Sequence, residues 1–389
     1  MVNVAALRLG LLFRVVSHRV KTGRWHELWQ VLRNGSASTQ IRATHFAAPG
    51  LLSPKGKRIQ PPPLFQMASA YWISQAIYAA AKFGIADILK DGPKSCREIA
   101  SAIKADEASL FRLMRVLCML EVCRANDAGN FELIEFGRPL QSGVSGSLRA
   151  MVLTLGELHY QSWGHLCESV QTGHPGFERV YGGKMFEFLE KNSDAGETFN
   201  LAMTDFSAFV SYAVLLSYDF SGIKSIVDVG GGYGKLLTSI LDVYPQMQGV
   251  LFDLPAVIDA ANAQIDSLPC RDRCAAIAGN FLESLPRGAD LYLLSGVIHD
   301  WDDRGAQLIL RNCRNAMRSN GRVLVVECVV PDGSEPSFSK LLDLNMLVMT
   351  GGRERTAGEF LDLLSEAGLK LSRIIPTASP LSIIEAVCK

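Results

Sequence analysis

Ser225–Leu254 reads SIVDVGGGYGKLLTSILDVYPQMQGVLFDL, and the order of residue types in it decides the fold of the carboxy-terminal half. Ile226–Val229 is a short apolar run with β-branched side chains, the pattern of a buried parallel strand. Gly230, Gly231, Gly232 and Gly234 follow at once, and a helix-compatible stretch from Lys235 to Tyr244 stops at Pro245. Val250–Phe252 makes a second short strand, closed by Asp253. Gly230 and Asp253 stand 23 residues apart, near the roughly 20 that separate a glycine turn from the acid that grips a ribose.

The chemistry accounts for the residue types. Glycines between strand and helix let backbone N–H groups approach a ligand with no Cβ in the way. A carboxylate ending the second strand can accept from both ribose hydroxyls. The turn is GGGYG rather than GxGxxG, and no basic residue adjoins Asp253 to suit a 2′-phosphate. The pattern therefore favours a nucleoside ligand without pyrophosphate, such as S-adenosylmethionine (SAM), over a dinucleotide. The alternative reading is a strand–turn–helix whose glycines serve packing alone.

Downstream, the alternation continues. Ala256–Ala263 reads as a helix, Ala275–Ala278 and Ala289–Ser295 as strands, and Asp303–Arg318 as a helix capped by Asp302 or Asp303. Arg322–Val330 reads as the fifth strand. Thr356–Ala367 reads as a helix ended by Gly368, and Leu369–Ile375 and Leu381–Val387 as a closing antiparallel pair. Repeated βα units imply an α/β, Rossmann-like, mostly parallel sheet with helices on both faces. Ligands of such sheets bind beyond the carboxyl ends of the strands, which directs attention to Gly230, Asp253, Asn280, His299 and Glu327. A histidine there can take a proton from a hydroxyl. Either Glu327 or Glu354 can hold its tautomer, as the acid of a catalytic triad does. The competing reading of His299 is a capping or core histidine.

The 389 residues are 48% apolar with zero formal net charge, an ordinary globular composition that excludes a global nucleic-acid field. Nine scattered cysteines form no CxxC, which implies reduced thiols, a cytoplasmic home and no zinc. No uninterrupted apolar stretch reaches about 18 residues, so no membrane span is expected. Charge is uneven: residues 1–58 hold ten Lys/Arg against Glu27. Leu9, Leu12, Phe13, Val16 and Val20 fall at helical spacing among arginines. Residues 5–32 thus read as a basic amphipathic segment suited to a membrane surface, an organelle address, a partner, or the protein's own dimer. Residues 34–57 read as a linker.

Leu64–Lys82 reads as one helix apolar on most faces, which must be covered by partners. Phe83–Leu89, Pro93–Ala102 (Ser95 capping, Glu98 completing the box) and Glu107–Leu120 (Asp106 capping) follow. A hairpin is expected around Asn126–Asn130, giving a winged-helix pattern. Ten basic and nine acidic residues between 64 and 150 leave no basic footprint, so dimerisation through the first helix is preferred over DNA binding. The segment 147–218 is rich in aromatic residues and methionine and suits a pocket for a flat apolar molecule. His159, Trp163 and Met203 are its candidate lining residues, against the plainer reading of each as core.

Taken in order, VDVGGGYG, FDLP, HDWDD, NCRNAM, VVECVVP, GGRERT and IIEAV resemble the small-molecule O-methyltransferases of the caffeate and acetylserotonin type and their microbial relatives. The resemblance spans residues 64–389. It implies a class I SAM methyltransferase domain (219–389), connecting helices around the substrate (147–218), a winged-helix dimerisation domain (64–146) and an extension (1–63). It further implies a homodimer, SAM as cofactor with S-adenosylhomocysteine as product, no metal, and methyl transfer to a hydroxyl of an apolar aromatic or polyketide-like molecule. By this resemblance His299 is the base, flanked by Glu327 and Glu354. Gly230 and the position of Ser295 face the methionine end of the cofactor, Asp253 the ribose, and Leu254, Asn280 and Phe281 the adenine, with Gly232 also cofactor-binding. Asn345 and Met349 lie on the substrate side. The chain departs from the family at Asn280, where Asp is usual, and at Ser295 and Gly296, where basic residues are common. These departures loosen the grip on the cofactor and leave open a second reading, a SAM-binding relative diverted to pericyclic, decarboxylating or hydroxylating chemistry, against which the intact His299/Glu327/Glu354 set argues.

Overall fold

The period-two alternation in the strands sorts their side chains onto two faces, and both are filled. Val227, Val229, Tyr292, Leu294, Val323 and Val325 pack with Ile309, Leu310 and Phe360 on one face. Ile226, Leu251, Leu291, Leu293, Leu324 and Val326 pack with Leu237, Ile240 and Ile383 on the other. The computed structural model describes residues 62–389; the amphipathic segment 5–32 and the linker 34–57 lie outside the described residues. Ala68–Lys389 forms one compact unit.

Its amino-terminal part is helical. The expected single helix Leu64–Lys82 is two, Pro63–Ala68 and Tyr71–Lys82, divided at Ser69–Ala70. Apolar spacing runs on across the division and does not register it. Ile85–Ile88, Cys96–Ile103 and Glu107–Met119 follow. The helix expected from Pro93 starts at Cys96, because the Ser95–Glu98 capping box sets the first turn. Asp106 caps the next helix through the Ser109 amide. Strands β1 (Cys123–Ala125) and β2 (Phe131–Leu133) pair antiparallel across a turn in which Asn126 Oδ1 accepts from the amides of Ala128 and Asn130. Ile85, Ile99, Leu110, Met114, Leu117 and Phe131 make this part's core.

The connecting segment ends in the helix Ser193–Ser217, which packs on the helices Arg149–Thr154 and Lys235–Val243. By length and composition it is apolar enough to cross a bilayer. Asn200, Thr204 and Asp205 interrupt its apolar run, and Ala202, Val210, Ala213 and Val214 are buried in the fold.

The carboxy-terminal sheet contains β3 (Ser225–Val229), β4 (Gln248–Asp253), β5 (Cys274–Ala278), β6 (Leu291–Ser295), β7 (Arg322–Val330), β8 (Arg355–Thr356), β9 (Leu369–Pro376) and β10 (Leu381–Cys388). Its order is β5-β4-β3-β6-β7-β10-β9, with β8 on the end of β7. The closing hairpin is antiparallel as expected, and the structure adds that β10 inserts between β7 and β9. The order reverses beside β3, so the ends of β3, β4, β6 and β7 converge on one edge.

Candidate active site

The candidate cofactor cradle begins where β3 ends. Gly230 has φ 68°, and a Cβ there would lie 2.9 Å from Val297 Cγ2 and 3.5 Å from Phe281 Cε1. Gly231 is a packing glycine, since its Cβ would meet Asp228 and Leu251 at 2.6 Å. Gly232, by contrast, opens onto free space. Its N–H donates to Asp253 Oδ2 (2.8 Å), and the Leu254 N–H donates to Oδ1 (2.7 Å). Each carboxylate oxygen keeps a lone pair for a hydroxyl. Burial raises the Asp253 carboxyl, and the two amides oppose that shift. An open turn beside an acid with spare acceptor capacity fits the nucleoside end of SAM. Gly230→Ala combines left-handed backbone strain of about 1–2 kcal/mol with the Val297 clash, so SAM affinity should fall about tenfold or more by calorimetry. An unchanged Kd would remove Gly230 from the cradle.

Beneath the turn, the Asp228 carboxyl is 1% exposed. Burial first, then the charge of Asp253, pushes it up to about 7 against the opposing Leu237 amide. Sequence reasoning assigned it nothing. The available signal was an acid inside an otherwise apolar buried strand.

The adenine-side candidates sit at the β5 end. Asn280 Oδ1 already accepts from the Leu282 amide (3.0 Å), and Nδ2 donates to Glu283 (3.1 Å), so one lone pair remains for a ligand. Phe281 stands edge-on to Trp301, with ring centroids 5.8 Å apart. Leu254 caps the helix Pro255–Ile265. Ser295 ends β6, half-buried.

His299 lies in the single 3₁₀ turn Ile298–Asp300 that follows β6. Its Nδ1 donates to Glu354 Oε1 at 2.6 Å, so Nε2 is the nitrogen left for a substrate. Gly296 keeps that side open: a Cβ there would meet only Nε2, at 3.6 Å, within 4 Å. The two glutamates divide their work. Glu354 takes the imidazole, whereas Glu327 Oε1 accepts from the backbone N–H groups of Val297 (3.2 Å), Ile298 (2.6 Å) and His299 (3.1 Å).

The loop's carbonyls are held as fully. Arg355, 1% exposed, donates through Nη1 to Ile298 O (3.2 Å) and through Nη2 to Trp301 O (3.1 Å). The Arg353 N–H donates to His299 O (2.8 Å). Asp303 Oδ1 steadies the guanidinium at 3.1 and 2.8 Å. Gly352 permits the approach, because a Cβ there would overlap the His299 carbonyl. Arg355 was missed from sequence, although it lies inside GGRERT. A buried arginine cannot be told from a solvated one by composition.

Asp300 was also missed. Its Oδ2 is 4.0 Å from His299 Nε2. Burial works against the imidazolium, but Asp300, the Glu354 hydrogen bond and the charges of Glu327 and Glu354 together outweigh it and push His299 up to about 10. Burial raises Asp300 to about 6 and Glu327 to about 7, with His299 opposing both shifts.

Among the pocket candidates, the structure joins three. Asn345 Oδ1 accepts from Trp163 Nε1 (2.9 Å) and lies 3.0 Å from His159 Nδ1. Met349 is 1% exposed, packed in a core cluster with Leu158, Phe177, Met185, Leu189 and Val348. Met203 is half-buried on the helix Ser193–Ser217.

Comparison with known proteins matches residues 163–370 to the O-methyltransferase domain and residues 65–139 to the O-methyltransferase dimerisation domain. The chain belongs to this O-methyltransferase family. It is 42% identical over 323 residues to the phenazine O-methyltransferase PhzM of Lysobacter antibioticus, covering 83% of this chain and 95% of the relative. It is 36% identical over 313 residues to the phenazine-1-carboxylate N-methyltransferase of Pseudomonas aeruginosa, covering 80% and 92%. The crystal structure of the O-methyltransferase NcsB1 from neocarzinostatin biosynthesis, solved with S-adenosylhomocysteine and 1,4-dihydroxy-2-naphthoic acid, superposes with a TM-score of 0.74 at 31% identity. It covers 85% of this chain and 100% of that one. As an O-methyltransferase of this family, the protein uses SAM. The turn at Gly230 and Gly232 with Asp253 is the candidate place for it, with two backbone N–H groups fixing a carboxylate beside an open glycine.

Proposed function

We propose that this O-methyltransferase methylates a hydroxyl of an apolar, aromatic or polyketide-like small molecule, with His299 as general base. The observation behind the reading is the His299 Nδ1–Glu354 bond, which leaves Nε2 facing the space that Gly296 keeps open. SAM, when bound, supplies an activated methyl group and a cationic sulfonium. Nε2 accepts the hydroxyl proton as the oxygen attacks. Glu354 holds Nδ1–H and stabilises the imidazolium that forms. Glu327 and Arg355 keep the loop in register, and the fixed geometry supplies much of the acceleration. Methylated product and S-adenosylhomocysteine should appear in equal amounts by mass spectrometry when the enzyme is given SAM and an aromatic alcohol panel. Product without S-adenosylhomocysteine would show diverted chemistry.

The reading includes a homodimer in the cytoplasm. Supporting it are the dimerisation-domain match, exposed Phe111 and Met119 in the helical part, and the exposed Phe206, Phe209, Tyr212 and Leu216 of Ser193–Ser217. All nine cysteines are free thiols.

An imidazolium must lose its proton before it can act, so kcat/KM should rise with pH along an acid limb set by His299. Asp300 favours the protonated ring. Asp300→Asn should therefore move that limb to lower pH. An unmoved limb would detach Asp300 from the base.

A further inference from the structure

Glu354 takes its orientation from its own backbone. Its Oε1 meets His299 Nδ1 at 2.6 Å. Its Oε2 is sealed from solvent and takes no hydrogen bond, and the residue is 2% exposed. Among the described residues, no second polar group turns this carboxylate toward the imidazole. Where the main chain stands at residue 354 therefore decides whether the carboxylate reaches the ring.

That main chain is a strap, residues 350–354, between the helix Phe338–Met349 and β8. The Thr350 and Gly351 amides donate to Met346 O (2.9 Å each), the Arg353 amide to His299 O (2.8 Å) and the Gly352 amide to Thr350 Oγ1 (3.2 Å). The Glu354 amide donates instead to a carboxylate, Asp343 Oδ1, at 2.9 Å. An ionised acceptor makes the stronger kind of hydrogen bond. Asp343 is half-buried on the helix Phe338–Met349. That helix is tied in turn to the connecting segment, where Trp163 Nε1 donates to Asn345 Oδ1. Burial raises the Asp343 carboxyl, the Glu354 amide and Arg353 oppose that shift, and the charges of Glu354 and Glu359 add to it.

We propose that Asp343 is a positioning residue for methyl transfer: by holding the Glu354 amide it seats the Glu354 carboxylate on His299 Nδ1. Its role in catalysis rests on the reading of His299 as the base. The alternative is a tether that steadies the strap and leaves the ring unaffected. The two differ in what the imidazole feels. Asp300 faces the ring from its own turn, Glu327 from β7 and Glu354 from the strap. Burial opposes the charged ring, and all three carboxylates favour it. If Glu354 backs away, one of the three weakens, and His299 should lose its proton at lower pH.

The test is a pH titration of the full chain carrying ¹⁵N-histidine, followed by nitrogen NMR, with His299 assigned by its loss in His299→Gln. It needs no substrate. Asp343→Ala should lower the midpoint of the His299 titration by about one pH unit. Asp343→Asn keeps an Oδ1 that accepts from the Glu354 amide, so its midpoint should stay within about 0.3 of wild type. An unmoved midpoint in Asp343→Ala overturns the proposal. An equal fall in Asp343→Asn also overturns it, because charge rather than the amide contact would then act on the ring. Asp343→Ser, likewise too short to reach the amide, replaces the alanine variant if that chain does not fold. Single-turnover methyl transfer to an aromatic alcohol that the wild type methylates separates the inference from the reading beneath it. A lowered midpoint with a rate about tenfold lower, the scale of one charge-assisted hydrogen bond, supports both. A lowered midpoint with an unchanged rate overturns His299 as the base, while the seating of Glu354 by Asp343 stands.

Discussion

His299→Ala should lower kcat by about 10²–10⁴-fold, the usual contribution of a positioned general base, while SAM affinity stays within about twofold of wild type. The separation follows from the geometry. The cradle is built on the ends of β3 and β4, through the Gly232–Asp253 and Leu254–Asp253 bonds. His299 stands at the end of β6 on a turn whose amides are held by the Glu327 carboxylate. The imidazole's hydrogen-bonding partner is Glu354. Its removal leaves the buried Glu354 without the imidazole on Oε1, which should cost stability. Calorimetry for SAM and single-turnover rates for methyl transfer check the two halves. A variant that turns over at the wild-type rate ends the general-base mechanism. One that loses SAM binding equally shows that His299 serves the cradle instead.

Arg355→Met should cut kcat by about a hundredfold, the scale expected when a reacting group is displaced by about 1 Å, with little change in SAM affinity. Arg355 touches no reacting atom in this reading. It holds the carbonyls of Ile298 and Trp301, one on each side of His299 and Asp300. The Ile298 carbonyl keeps the Trp301 amide, but the Trp301 carbonyl loses its arginine donor at a cost of about 1–3 kcal/mol, so the melting temperature should drop as well. Arg355→Lys should not rescue. An ammonium is a point charge and cannot span carbonyls three residues apart as the planar guanidinium does. Asp303→Asn is the milder change: it removes the charge but keeps an Oδ1 that can accept from the buried guanidinium at both nitrogens, so its loss of kcat should be smaller than that of Arg355→Met. The acid limb of kcat/KM separates positioning from chemistry: it should keep its midpoint in Arg355→Met, because the imidazole retains Glu354 and Asp300. Full rescue by lysine, or wild-type kcat in the methionine variant, would show that the loop holds itself.

The elements that were legible share a local cause. A β-branched run, a glycine turn and a closing acid are encoded within 30 residues, and the strand–helix alternation repeats that code. Capping boxes at Ser95–Glu98 and Thr356–Glu359 mark helix starts in the same local way. Strand ends then point to Asp253, His299 and Glu327 before any tertiary contact is known. The choice between Glu327 and Glu354 as the imidazole's partner stayed open in sequence. It depends on which carboxylate meets a ring and which meets three amides, and spacing does not encode that.

By itself, then, the amino-acid sequence determined the α/β class, the glycine cradle and the strand-end histidine, because each rests on residues that are neighbours in the chain or repeat with a fixed period. The tertiary structure alone decided that β10 inserts between β7 and β9. It alone decided that Glu354 rather than Glu327 holds Nδ1, that Arg355 grips the loop, and that His159 and Trp163 meet Asn345 across 186 and 182 residues. Those contacts join groups far apart in sequence, and their energies come from burial and hydrogen-bond geometry, which exist only once the elements have packed.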